Sequence, residues 1–199
     1  MAVSPTQVKE LREKTGCGMM DCKKALEESG GDIDNAVKSL RKKGLADLAK
    51  RSGRAANEGL VESYIHSQGR IGVLLEVNCE TDFVSRNTDF QEFAHDIAMQ
   101  IAASVPVYVS REDLPDDLIK GEQEIYRDQA LAEGKPEKII DKIIEGKMEK
   151  FFGTVCLMDQ PFIKDQDIKV KDCLGELVGK LGENIGIRRF ARYQLGEEL

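Results

Sequence analysis

The run Glu80-Thr81-Asp82-Phe83-Val84 places a carboxylate, a hydroxyl, a second carboxylate and an aromatic ring together where a hydrophobic segment, Ile71 to Val77, has just ended. Loops carry function when a rigid scaffold aims them, and a ring presented beside a carboxylate can probe another protein. The other reading of Phe83 is a core ring that closes the end of a sheet, the usual fate of an aromatic near a strand end. The same three letters recur at Thr88-Asp89-Phe90. There Thr88 with Gln91 reads as a capping box, and Phe90, Phe93, Ala94, Ile97, Ala98 and Ile101 follow at helical spacing. Phe90 is assigned to a buried helix face; Phe83 fits no such stripe.

Other candidate chemistry is thin. Of the two histidines, His95 lies on the polar side of that helix, and His66 has no Cys, Ser or carboxylate at a triad or metal-pair spacing. Cys17 and Cys22 are too far apart for a Cys-x-x-Cys redox motif. Cys79 reads either as a reactive thiol or as a small half-buried residue at a strand end. Gly179-Lys180-Leu181-Gly182 and Gly16-Cys17-Gly18 lack the offsets of a phosphate-binding loop. Arg188, Arg189 and Arg192 read as a solvated strand face or a contact for an acidic partner. Met19 and Met20 follow a Gly-x-Gly loop; methionine suits adaptable binding surfaces, and one of the pair, Met20, is expected on the inner side of its helix.

The elements that must position these residues can be read along the chain. With 199 residues, 33% charged and 41% hydrophobic, it has a globular composition and can bury a core. No apolar run approaches the roughly 20 residues of a membrane span, and no secretory leader is expected from the first residues. Five cysteines without paired spacing suggest reduced thiols, hence a cytoplasmic location. A net charge of -7 disfavours direct nucleic-acid binding.

Ser4, Pro5 and Gln7 predict a capped first helix; a second is expected over about 19–28, and a third, capped by Asp32, is expected to continue past Gly44 through Leu45, Leu48 and Ala49. Arg51 to Gly59 reads as a linker. Leu60–His66 and Arg70–Asn78 around Ser67-Gln68-Gly69 predict a β-hairpin. A helix over 88–104, a short strand at Val107-Tyr108-Val109, a helix over about 116–132, another that follows Gly134-Lys135-Pro136 and runs to about Met158, a helix near 170–181 and a strand from Asn184 to Gln194 complete the pattern. The expected fold class is α+β: a three-helix domain over 1–52, resembling ubiquitin-associated domains, then a core over 53–199. In that core an antiparallel sheet is packed by helices, with an inserted αα-hairpin at about 115–158.

Two long segments resemble one family. Thr15-Gly16-Cys17-Gly18-Met19-Met20-Asp21-Cys22-Lys23-Lys24-Ala25-Leu26, and Glu76 to Arg86 around Glu80-Thr81-Asp82-Phe83-Val84, are similar to the two signatures of bacterial-type translation elongation factor Ts. Met158 to Ile163 and Arg188-Arg189-Phe190 also resemble it. The resemblance implies a guanine-nucleotide exchange factor that is not an enzyme and needs no cofactor or metal of its own. Its partner would be the GTPase elongation factor Tu, GDP-bound or nucleotide-free. Thr81, Asp82, Phe83 and Val84 would dislodge the partner's Mg²⁺, while Lys9, Leu11, Arg12, Met19 and Met20 would dock on its nucleotide domain. A short form with a single core module implies a homodimer. Two alternatives from other classes are a helical adaptor working through Met19 and Met20 without exchange activity, and a thiol enzyme using Cys79.

Overall fold

The computed structural model describes residues 3–197, a mixture of helices and antiparallel strands. In chain order the helices are α1 Pro5–Thr15, α2 Met19–Glu28, α3 Ile33–Arg51, α4 Asp82–Ser85, α5 Thr88–Ser104, α6 Asp116–Ala132, α7 Glu137–Val155 and α8 Val170–Leu181. The strands are β1 Glu58–His66, β2 Ile71–Cys79, β3 Pro161–Phe162, β4 Asp165–Lys169 and β5 Gly186–Gln194. The chain divides into two units, Met1–Met99 with Lys171–Leu199, and Gln100–Val170.

In the first unit, the opening helix begins as its sequence predicts. The Gln7 amide donates to Ser4 Oγ at 3.2 Å and the Ser4 amide to Gln7 Oε1 at 3.0 Å, a complete capping box. Gly16, at φ 66°, ends α1 and donates its amide to the Arg12 carbonyl. Asp32 caps α3 by accepting from the Asn35 amide at 2.9 Å. Helices α1 to α3 enclose Val8, Leu11, Cys22, Ala25, Leu26, Ala36 and Leu40. Full burial of a leucine such as Leu11 or Leu26 stabilises by about 1.5–3 kcal/mol. Helix α3 extends to Arg51, so the irregular stretch is shorter than Arg51 to Gly59: β1 has already begun at Glu58.

Helix α3 lies against α8. Gly44 meets Gly175 backbone to backbone, Arg41 Nε donates to Glu176 Oε1 at 2.9 Å, and the Arg51 guanidinium donates to the Val178 carbonyl at 2.8 Å. The sheet has the order β1-β2-β5, antiparallel throughout, with an irregularity in the β2–β5 register at Glu76/Val77. Period-2 alternation buries Val73, Leu75, Val77 and Cys79 on one face of β2. The other face carries Val61, Ile65, Leu74 and Tyr193, all exposed. Ser67, Gln68 and Gly69 all take positive φ at the hairpin tip.

Helix α5 follows the expected stripe, with Phe90, Ala94, Ile97, Ala98 and Ile101 fully buried. Its cap is not Thr88. The Asn87 side-chain oxygen accepts from the Asp89 amide at 2.8 Å, the Asn87 carbonyl accepts from the Gln91 amide, and Thr88 is already helical. The Gln91 amide group reaches the Ser85 carbonyl instead of closing a box.

In the second unit, α6 and α7 pack around Ala130, Ile140, Ile144 and Met148, with Arg127 paired to Asp141 at 2.7 Å. The strand expected at Val107 to Val109 reduces to a single parallel bridge between Tyr108 and Cys156, because the segment docks on a helix end rather than on a strand. Helix α7 stops at Val155, short of Met158, and the β3–β4 pair was not anticipated. Within the Met158 to Ile163 run, Asp159 and Gln160 are buried and form a polar junction. The Gln100 amide group donates to Gln160 Oε1, the Pro161 carbonyl and Ser104 Oγ, and its oxygen accepts from the Ile163 amide. Asp159, 4% exposed, receives two hydrogen bonds from Arg111, whose guanidinium also grips Glu149 and lies 4.4 Å over the Phe152 ring. Buried polar side chains need such partners, which accounts for the motif structurally. No helix of the described residues is long and apolar enough to cross a membrane.

Candidate functional site

Beyond Cys79, the last residue of β2, the chain makes the single turn α4 before entering α5. Val84 is buried, anchoring that turn where α4 meets β1 and β2, whereas Phe83 is 82% exposed. The core reading of Phe83 is therefore overturned: the buried residue is its neighbour. Asp82 is half exposed and its carboxylate meets Arg86 at 2.9 Å, one turn on.

The residues before the turn are held across the chain. The Glu183 carboxylate accepts from the Glu80 amide at 3.1 Å, the Thr81 amide at 3.0 Å and the Thr81 hydroxyl at 2.6 Å. In return, Glu80 Oε1 accepts from the Asn184 amide at 2.6 Å and from Arg54 at 3.3 Å. The Asn184 bond, with Arg54 beside it, holds the Glu80 carboxyl below its ordinary value. A turn fixed at both ends, with one ring standing out of it, is a rigid presentation of an apolar group. Sequence reasoning found Thr81 to Val84 but had no signal for Glu183, which lies 102 residues from Thr81.

The second candidate group lies on α1 and α2. Met19 is 55% and Met20 74% exposed, so the expectation that Met20 lies on the inner side is wrong: the first turn of α2 projects past the helix packing, and Cys22, Ala25 and Leu26 fill the core instead. Lys9 and Arg12 are exposed. Leu11, by contrast, is 0% exposed and packs within the three-helix core. The turn between α1 and α2 adjoins the start of α5. The Lys180 side chain lies over Gly16, where a Cβ would meet it at 2.9 Å, and its Nζ bonds Asp89 at 2.6 Å.

The remaining candidates lose their chemistry. Burial pushes the Cys79 thiol up to about 11, and its Sγ donates to the Thr81 carbonyl, so it is a protonated structural thiol and not a nucleophile. His66 bonds the Tyr64 hydroxyl at 2.9 Å, and His95 meets Glu62 at 3.0 Å and the Tyr64 ring edge-on. Arg188 and Arg189 pair with Glu76, while Arg192 turns inward, its side chain 8% exposed beside Glu197. No cluster of metal-ligating side chains occurs among the described residues.

Comparison with known proteins adds a separate line. Residues 24–197 match the family profile described as Elongation factor TS. The chain is 60% identical over 197 residues to the elongation factor Ts of Carboxydothermus hydrogenoformans, covering 99% of this chain and 91% of that relative. It is 58% identical over 195 residues to that of Moorella thermoacetica, covering 98% of this chain and 96% of the relative. Against that of Caldanaerobacter subterraneus the identity is 58% over 195 residues, with 98% of each covered.

Proposed function

The chain belongs to the elongation factor Ts family and is a guanine-nucleotide exchange factor for elongation factor Tu; we propose that the Thr81 to Val84 turn is the part that works the exchange. The observation that carries this reading is the exposure of Phe83 on a turn whose adjacent residue, Val84, is buried. A large ring left in water on a rigid support gains when a partner covers it, by about 1.5–3 kcal/mol. Inserted between two helices of the GTPase, it shifts them, since packed interfaces have discrete arrangements rather than a continuous range. Asp82 approaches the Mg²⁺ site of the partner and disturbs its water and ligand network. Mg²⁺ bridges the GDP phosphates to protein oxygens, so its displacement removes much of the nucleotide's hold. By linkage, GDP and this factor weaken each other's binding to the same GTPase, and the more abundant nucleotide rebinds.

Residues 1–52, the ubiquitin-associated-like helices, dock on the nucleotide domain through Lys9, Arg12, Met19 and Met20. The core over 53–199, with α6 and α7 as its inserted helical hairpin, carries the turn. Two copies join as a homodimer in the cytoplasm; the exposed row Val61, Ile65, Leu74 and Tyr193 supports that reading as apolar surface that a second copy would cover. The decisive measurement follows fluorescent GDP leaving purified elongation factor Tu. The protein accelerates release, and Asp82→Ala or Phe83→Ala loses most of the acceleration with circular dichroism unchanged. Equal acceleration by the double variant would overturn the role of the turn.

A further inference from the structure

We infer that Glu183 is a positioning residue for nucleotide exchange: its carboxylate, by gripping the Glu80 and Thr81 amides and the Thr81 hydroxyl, sets the direction in which Phe83 is presented. The inference rests on the reading of Thr81 to Val84 as the working turn.

The geometry leaves the turn few other restraints on its incoming side. Cys79 ends the sheet ladder, and α4 is too short to hold itself, since its first amides have no intrahelical partner. Thr81 stands at the N-cap position of α4, but its hydroxyl does not cap the turn; it donates to Glu183 Oε1 at 2.6 Å. The Glu183 carboxylate thus takes three donors on two oxygens, an arrangement of charge-assisted bonds stronger than neutral ones. Glu183 is itself fixed, because the next residues, Asn184 and Ile185, are buried, and Asn184 Nδ2 donates to the Arg54 carbonyl at 2.7 Å. The Asn184 amide returns a bond to Glu80. The two segments are therefore clasped reciprocally, each carboxylate bound to the other's backbone. Phe83 itself makes no such bonds, so its aim is inherited from this clasp and from buried Val84.

Removing the grip of Glu183 frees Glu80–Asp82 to pivot without unfolding the protein. Docking through α1 and α2 is left intact, and only the engaged complex suffers. A misplacement near 1 Å is enough to lower a rate by about 100-fold. The test measures GDP release from elongation factor Tu across a concentration series of the full chain. Glu183→Ala is expected to lower the saturating release rate by at least about tenfold and Glu183→Gln, which keeps one acceptor oxygen, by about threefold. The half-saturating concentration stays within about twofold in both. Thr81→Val removes one of the same bonds, and the Thr81→Val/Glu183→Gln pair is expected to be no slower than the slower single variant, because the two act as a unit. Should Glu183→Ala fail to fold, Glu183→Gln and Thr81→Val carry the same expectation. The inference is overturned if Glu183→Gln and Thr81→Val keep the saturating rate, or if they lose affinity in place of rate, while Phe83→Ala abolishes exchange. If Phe83→Ala itself exchanges normally, the reading of the turn has failed instead.

Discussion

Gly44 and Gly175 meet so closely that a Cβ on Gly44 would stand 2.6 Å from the Gly175 carbonyl oxygen. Backbone cannot yield as a flexible side chain can, so this joint between α3 and α8 tolerates only hydrogen at that position. Together with Arg41–Glu176 and Arg51–Val178 it fixes the helices that bear Met19 and Met20 relative to the sheet end that bears Phe83.

Gly44→Ala should therefore destabilise the protein by about 1–3 kcal/mol, the usual range for overpacking, despite the better helix propensity of alanine. The thermal midpoint falls, and exchange falls with it because the two contact groups lose their common spacing. An unchanged midpoint would show that α3 and α8 part easily.

Gly121 of α6 gives the opposite sign. Nothing lies within 4 Å of a Cβ built there, so Gly121→Ala should stabilise by about 0.5–1 kcal/mol through reduced backbone entropy of the unfolded chain. Differential scanning calorimetry reads the shift directly.

Acid should loosen the turn before it unfolds the helices. The Glu80 carboxyl titrates below its ordinary 4.5 because of the Asn184 amide, Arg54 adding to the effect. A depressed folded value contributes stability above the unfolded value and loses it as pH falls through the folded one. Hydrogen exchange at the Asn184 amide, corrected for its intrinsic pH dependence, should therefore lose protection as pH falls below the ordinary 4.5 and through the lowered folded value. In Glu80→Gln that acid step disappears.

Thiol alkylation should leave exchange intact. Cys17 and Cys173 are half-buried, whereas Cys22, Cys79 and Cys156 are enclosed. Burial raises Cys17 and pushes Cys79 and Cys156 up to about 11, so exposure sets the order and iodoacetamide at neutral pH should modify the half-buried pair first, as read by mass spectrometry. For Cys79 and Cys156 the sign runs with base: the stability they lend is full below 9.0 and is lost as pH climbs through about 11.

Charge placed on the outer sheet face should separate the proposed dimer. Ile65→Lys sits on an exposed position, so the monomer still folds, and sedimentation velocity should show half the mass. A wild-type chain that already sediments as a monomer would end that reading.

Legibility followed the range of the forces involved. Ser4, Gln7 and Asp32 act within a turn of the helices that they start, and the stripe from Phe90 to Ile101 repeats at the helical period, so these elements could be read from local sequence. Asn87 caps α5 one residue ahead of the expected Thr88, because adjacent polar residues compete for the same amides. The Val107 to Val109 run had strand propensity but found no neighbouring strand to pair with. Periodicity could not place Phe83 or Met20 with respect to the surface, since each depends on what packs from elsewhere in the chain, whereas Leu11 falls on the inner face of α1 at helical spacing from Val8. The grip of Glu183 on Thr81 has no local signature at all.

The clasp and the buried Val84 have a consequence for timing. The ring's direction is settled when the chain folds, long before it meets the GTPase, so encounter does not wait for a loop to order. Rapid mixing with nucleotide-free partner should then give one exponential, its rate rising in proportion to concentration with no plateau from a preceding rearrangement. Whatever slow step the exchange cycle contains belongs to the GTPase, which must open, while this protein meets it already shaped.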